Sequence, residues 1–185
     1  VDNPTELIIT SAGIDFNKTV TIKGKHIKQV GNNVVYSNIL TSNIRMFSVE
    51  SKGSLTIENA TLLGTKTGTN AYCSFLFVDY GSSAMLNKVT MQRSLSQLDT
   101  WTMLRIYGSC TLKDCIISEN NGDALILIGS NGNCRIEGGK IQNNSCTDSK
   151  YVYNLIRNLG TLDYVSGEYT NNHAISLASL GTTTL

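Results

Sequence analysis

The sequence predicts an all-β chain wound as a right-handed parallel β-helix of about seven rungs, with three short strands per coil. Three observations predict it: an eight-residue pattern that recurs six times, a further apolar strand ahead of the recurrences, and polar or glycine turns at matching places in successive periods. Residues 1–185 read as a single β-helix domain, and the last stretch, 175–185, starts another repeat without finishing it, as expected for a segment of a longer repeat protein.

The recurrences are residues 20–27 (VTIKGKHI), 55–62 (LTIENATL), 84–91 (AMLNKVTM), 110–117 (CTLKDCII), 134–141 (CRIEGGKI) and 162–169 (LDYVSGEY), with starts 35, 29, 26, 24 and 28 residues apart. Positions one, three and eight are apolar or able to be buried in each. Alternation from position one to three is the signature of a strand with one face in a core. Position five reads Gly24, Asn59, Lys88, Asp114, Gly138 and Ser166, mostly residues that tolerate a left-handed backbone or bond locally to a turn, so the chain is expected to bend there. Position eight then returns to the core on a second short strand.

Third strands are expected at 47–49, 75–78, 103–106, 125–128, 155–156 and 175–177, each followed by a turn at 52–54, 81–83, 108–109, 131–133, 160–161 and 181–182. The longest periods carry extra loop at 64–71 and 94–100, which a solenoid accommodates on one face, often the binding face. Asparagine stands three residues after position eight at Asn120, Asn144 and Asn172. Stacked at one corner, those amides can bond to one another and to turn backbone.

These repeats resemble the pectate-lyase-like right-handed parallel β-helix superfamily. The stretch 115–127 (CIISENNGDALIL) is similar to the repeats of polymorphic-membrane-protein-like surface adhesins. The resemblance implies a solenoid exposed at a cell surface. A leucine-rich repeat is the competing solenoid, but the asparagine of 55–59 (LTIEN) comes too early for it.

Charge gives the register a test. Stacking the repeats sets Lys23 over Glu58, Lys113 over Glu137 and Lys140 beside Glu168. With 15 Lys and Arg against 14 Asp and Glu, the net charge is +1 and the basic residues are scattered, which argues against a nucleic-acid partner. No apolar run approaches the roughly 20 residues of a membrane-spanning helix. The cysteines Cys73, Cys110, Cys115, Cys134 and Cys146 include no C-x-x-C pair, against a zinc site. Cys110 and Cys134 share position one on consecutive coils, a spacing within disulfide range, but side chains stacked in register point the same way, so buried unpaired thiols are expected, with a Cys110–Cys134 disulfide as the alternative.

Hydrolysis or lyase chemistry on a polysaccharide needs clustered carboxylates. Asp79, Asp99, Asp114, Asp123, Asp148 and Asp163 fall at different repeat positions and loops, so no catalytic residue, metal ligand or cofactor is assigned; Asp123 is expected to serve its own turn. His26 and His173 are far apart in the winding and read as surface residues. Arg105, Arg135 and Arg157 suit an anionic sugar, although Arg135, at position two, is better placed to cover a neighbouring rung. Tyr72, Tyr80, Trp101 and Tyr107 lie in or beside the long loops, where rings stack on a sugar or protein ligand or cover the end of a coil. Asn17, Asn59 and Asn143 head Asn-x-Ser/Thr acceptor patterns for glycosylation.

Regular repeats with sparse catalytic groups lead to the expectation of a non-catalytic extracellular or cell-surface β-helix serving as adhesin, stalk or fibre component. The alternative is a carbohydrate-active enzyme fragment, a polysaccharide lyase or glycoside hydrolase. Expected partners are the remainder of a longer chain or further copies stacked end to end, with a glycan or host-surface protein as ligand.

Overall fold

The eight-residue windows carry two apolar stretches about a central residue that has positive φ in five of the six, and these fold as strand, bend, strand. The computed structural model describes residues 5–8, 13–31, 33–38, 42–64, 72–96, 100–146, 154–174, 176–179 and 182–184. Every strand pair is parallel, and the described residues contain no helix. First and second strands, such as Ser54–Glu58 with Ala60–Leu63 and Ser109–Lys113 with Ile116–Ser118, belong to one 13-stranded sheet that folds over the bend. Third strands build a seven-stranded sheet, and the short segments Leu95–Ser96, Asn121–Gly122 and Ser145–Cys146 build a small third sheet at one corner.

The chain is therefore a parallel β-solenoid of stacked coils. It makes about five turns where about seven were expected.

Ile57, Leu86, Leu112 and Ile136 pair in direct register from coil to coil, and all four are buried. This vertical file is the centre of one continuous apolar core that also takes Val78, Ile106 and Ile128 from the third strands. The bend between first and second strand has positive φ at Asn59 (49°), Lys88 (54°), Asp114 (51°) and Gly138 (71°). A left-handed backbone is costly for lysine, but inter-coil bonds hold it: the Lys88 amide donates to the Lys113 carbonyl at 2.8 Å, and that of Asp114 to Glu137 at 2.8 Å. Gly139 follows in the same bend, where a Cβ would lie 2.0 Å from the Cys115 carbonyl oxygen.

The first repeat is misassigned by its sequence. Val20–Lys23 pairs with Phe47–Glu50, so it is a third strand rather than a first one. The true first strand of that winding is His26–Val30, with Ile27 opposite Leu55. Tyr36, not Ile27, then stands at position eight, opposite Leu62. Lys23 accordingly lies beside Glu50 at 3.6 Å, and Lys28 takes the place beside Glu58 at 3.4 Å. The other two charge expectations hold, since Lys113 is in register with Glu137 and Lys140 meets Glu168 at 2.9 Å. Local alternation cannot tell which sheet a strand joins; only the pairing partner decides.

The asparagine corner is built as a ladder. Asn120 Nδ2 donates to Asn144 Oδ1 at 3.0 Å and Asn144 Nδ2 to Asn172 Oδ1 at 2.9 Å, while the same oxygens accept from the backbone N–H of Asn120 and Asn144. Each Nδ2 also reaches back to the carbonyl at position eight of the coil before: Met91, Ile117 and Ile141. In the preceding coil Ser94 occupies the rung, its N–H bonded to Asn120 Oδ1 at 2.9 Å. The residue just ahead of each rung, at Arg93, Glu119, Asn143 and Asn171, is left-handed with φ between 51° and 57°.

All five cysteines are buried as free thiols, with Cys110 directly opposite Cys134. In the core near the first windings Phe16, Tyr36 and Phe47 meet edge to face, with centroids 5.0 to 5.9 Å apart.

Candidate functional site

Along a third strand the residues alternate between core and outer face, so the middle of each apolar triplet points away from the core. Ser48, Phe77, Arg105, Leu127 and Arg157 therefore stand in one file, each in register with the next. Phe77 and Arg105 are half-buried, flanked by core residues Leu76 and Val78, Leu104 and Ile106.

Arg45 reaches the same place from one coil earlier. Its guanidinium carbon lies 4.7 Å from the centroid of Phe77, and that of Arg105 lies 5.7 Å from the same ring. Arg105 also stacks on Tyr107 at 5.0 Å and donates from Nη2 to the Tyr107 hydroxyl at 2.9 Å. Arg45 Nη2 donates to the Thr100 carbonyl at 3.1 Å. The Nε of each arginine is buried without a hydrogen-bond partner. Loss of solvent, and next the nearby charge of Arg105, hold the Arg45 guanidinium below its usual pKa; Glu50 acts the other way.

Two of the aromatic candidates join this cluster. Tyr107 is half-buried, 6.0 Å from Phe77 and 5.2 Å from Tyr80, which is 52% exposed. Its ring covers Gly129 of the next coil, where a Cβ would fall 2.3 Å from the ring, so no larger residue fits beneath it. Tyr72 is half-buried and held by its backbone: its N–H donates to Asn43 Oδ1 at 2.9 Å and its carbonyl accepts from Ile44 at 3.0 Å. Trp101 is half-buried.

The acidic candidates do not converge. Asp114 stands at the bend, Asp163 on an outward position two, and Asp123 next to the small corner sheet; Asp79 lies at a turn that its backbone carbonyl closes by accepting from the Ser82 N–H at 3.0 Å. Asp99 and Asp148 lie outside the described residues, as do most of the long loops. Among the described residues no group of three or more His, Cys, Asp or Glu side chains is arranged to hold a metal ion. Arg135 bonds both Glu137 and Asp163, tying coil to coil.

His26 is half-buried and bonded to Ser54 Oγ at 2.7 Å, rather than fully solvated, because it begins a first strand. His173 is exposed, bridging to Ser145 through its backbone. The acceptor asparagines Asn17, Asn59 and Asn143 are all exposed, the last two at left-handed corner positions.

Arg45 and Phe77 were not singled out in the sequence, although a signal existed for Phe77. It occupies the same middle position of an apolar triplet, LFV, as Arg105 in LRI. No protein-family model, curated protein or solved structure matches this chain.

Proposed function

We propose that this chain is a non-catalytic β-solenoid of the cell surface or extracellular space, an adhesin, stalk or fibre component that presents a binding face on its third-strand sheet. The observation that carries this reading is how its charged side chains are used. Lys23 with Glu50, Lys28 with Glu58, Arg93 with Glu119, Arg135 with Glu137 and Asp163, and Lys140 with Glu168 are paired along and between coils. Carboxylates engaged in this way brace a stack, whereas general acid and base chemistry needs two of them aimed at one substrate atom.

The test is a panel of surface glycans and matrix proteins, with binding and turnover read together on the purified chain. Binding without release of new reducing ends or unsaturated products is the expected result. Cleavage of any polysaccharide in the panel would replace this reading by that of a carbohydrate-active enzyme.

A further inference from the structure

We propose that the face carrying Arg45, Phe77, Arg105, Tyr107 and Tyr80 binds a sulfated saccharide, the sulfate held by the two guanidinium groups and a sugar ring laid on the exposed tyrosine. The proposal rests on the surface-binding role above and names the ligand class of that face.

The positive charge here is only partly offset by the protein: Glu50 acts on Arg45, but its carboxylate is already paired with Lys23. Among the described residues neither Arg45 nor Arg105 forms an ion pair, whereas Lys23, Lys28, Arg93, Arg135 and Lys140 each do. Both cations stack on one phenyl ring, and the Nε of each is buried with no acceptor. An arginine does not escape such a position by losing its proton. An external oxyanion relieves the repulsion and accepts from the remaining N–H groups of both forks.

Arginine on an aromatic ring is weakly hydrated, which favours a weakly hydrated anion such as a sulfate ester over a carboxylate. Each guanidinium is already oriented, Arg45 by the Thr100 carbonyl and Arg105 by the Tyr107 hydroxyl, so little side-chain entropy is lost on binding. The saccharide part follows from Tyr80, more than half exposed and inclined at 45° to Tyr107. Its free ring face is the kind of surface on which sugar C–H groups pack.

An acidic peptide is the rival occupant. Strand addition would require an unpaired sheet edge, but Cys73–Val78 and Leu104–Ile106 are each hydrogen-bonded to neighbours on both sides. Side-chain recognition of a rigid glycan suits this face better.

Calorimetric titration of the full chain with a chondroitin 4-sulfate hexasaccharide, its desulfated form, inorganic sulfate and a poly-glutamate peptide tests the proposal. The sulfated hexasaccharide is expected to bind at least tenfold tighter than the other three, and more weakly as salt is raised. Arg45→Ala, Arg105→Ala and Tyr80→Ala should each weaken it, the arginine changes by about tenfold or more, the loss of one charge-assisted contact. Arg93→Ala, at the asparagine corner, should bind as the parent does. Where an alanine variant loses its circular dichroism spectrum, Arg45→Lys and Arg105→Lys keep the charge, remove the fork, and should still weaken binding several-fold. Equal binding of the desulfated sugar or the peptide, or lysine and Tyr80→Ala variants that bind like the parent, would overturn the proposal. Capture of an unsulfated glycan or a surface protein unaffected by these changes would also overturn it while leaving the surface-binding role intact, whereas polysaccharide cleavage would remove that role itself.

Discussion

Asn144 is bonded on both sides by its own kind, accepting from Asn120 Nδ2 at 3.0 Å and donating to Asn172 Oδ1 at 2.9 Å. Its oxygen and nitrogen together satisfy groups of the coil before and the coil after its own, and the residue is 2% exposed. Such a rung ties the corner of one turn to those above and below.

Asn144→Ala leaves the Asn120 N–H and the Ile117 carbonyl without their partners. Each buried group left unsatisfied costs about 1–3 kcal/mol. A clear fall in the urea midpoint is expected, larger than that for Asn143→Ala at the exposed neighbouring position. Equal midpoints would show that the ladder contributes nothing.

Leu112 lies in the middle of the inward file, between Leu86 and Ile136. Leu112→Ala opens a cavity in a tube whose backbone is pinned by hydrogen bonds on both sides, and large-to-small core changes of this kind cost about 2–5 kcal/mol. Met85→Ala, one strand over and pointing outward at 41% exposure, should change stability by less than about 1 kcal/mol. Equilibrium denaturation followed by circular dichroism measures both.

Gly139 has φ of 79° and no space for a Cβ beside the Cys115 carbonyl. Gly139→Ala therefore combines backbone strain, about 1–3 kcal/mol, with a clash against backbone that is itself hydrogen-bonded. The variant should melt well below the parent and below Gly24→Ala, where the nearest atom is 3.4 Å away. Thermal denaturation of the two side by side decides this.

Burial pushes the thiols of Cys73 and Cys134 up to about 12, and that of Cys110 well above its usual value. The folded state thus keeps protons that the unfolded chain releases at about pH 8.5. Stability from this source is fully present below that pH and is lost as pH rises toward about 12. A maleimide should leave the native chain unlabelled at pH 7.5 and label all five cysteines once urea is added. Rapid labelling of the folded protein would contradict the buried placement.

The inward file was legible because two constraints coincide in it: the period-two alternation of a strand and a spacing of 24 to 29 residues that brings equivalent positions over one another. The asparagine corner was legible for the same reason, since its spacing from position eight is constant. Val20 was not. Residues 20–27 imitate the repeat, with apolar positions one, three and eight and a glycine at five, yet Gly24 turns the corner that Ser51 turns in the next coil. A string of eight residues carries the same pattern in either sheet.

The basic and aromatic cluster shows the other boundary. Arg45, Phe77 and Arg105 are separated by about one winding each, and nothing near any of them marks it as a partner of the other two. Their meeting depends on strand register, on Arg45 entering from the earlier coil, and on a glycine at 129 that makes room for Tyr107.

By itself, then, the amino-acid order determined that the chain is a stack of parallel strands, which positions face inward and where the coil bends, because alternation and turn preference are local and repeat. Which sheet the first strands join, and which outward side chains come together, was decided only by the tertiary structure. Those outcomes depend on hydrogen-bonded pairing between residues a whole turn apart, and that pairing is not written in any single stretch of sequence.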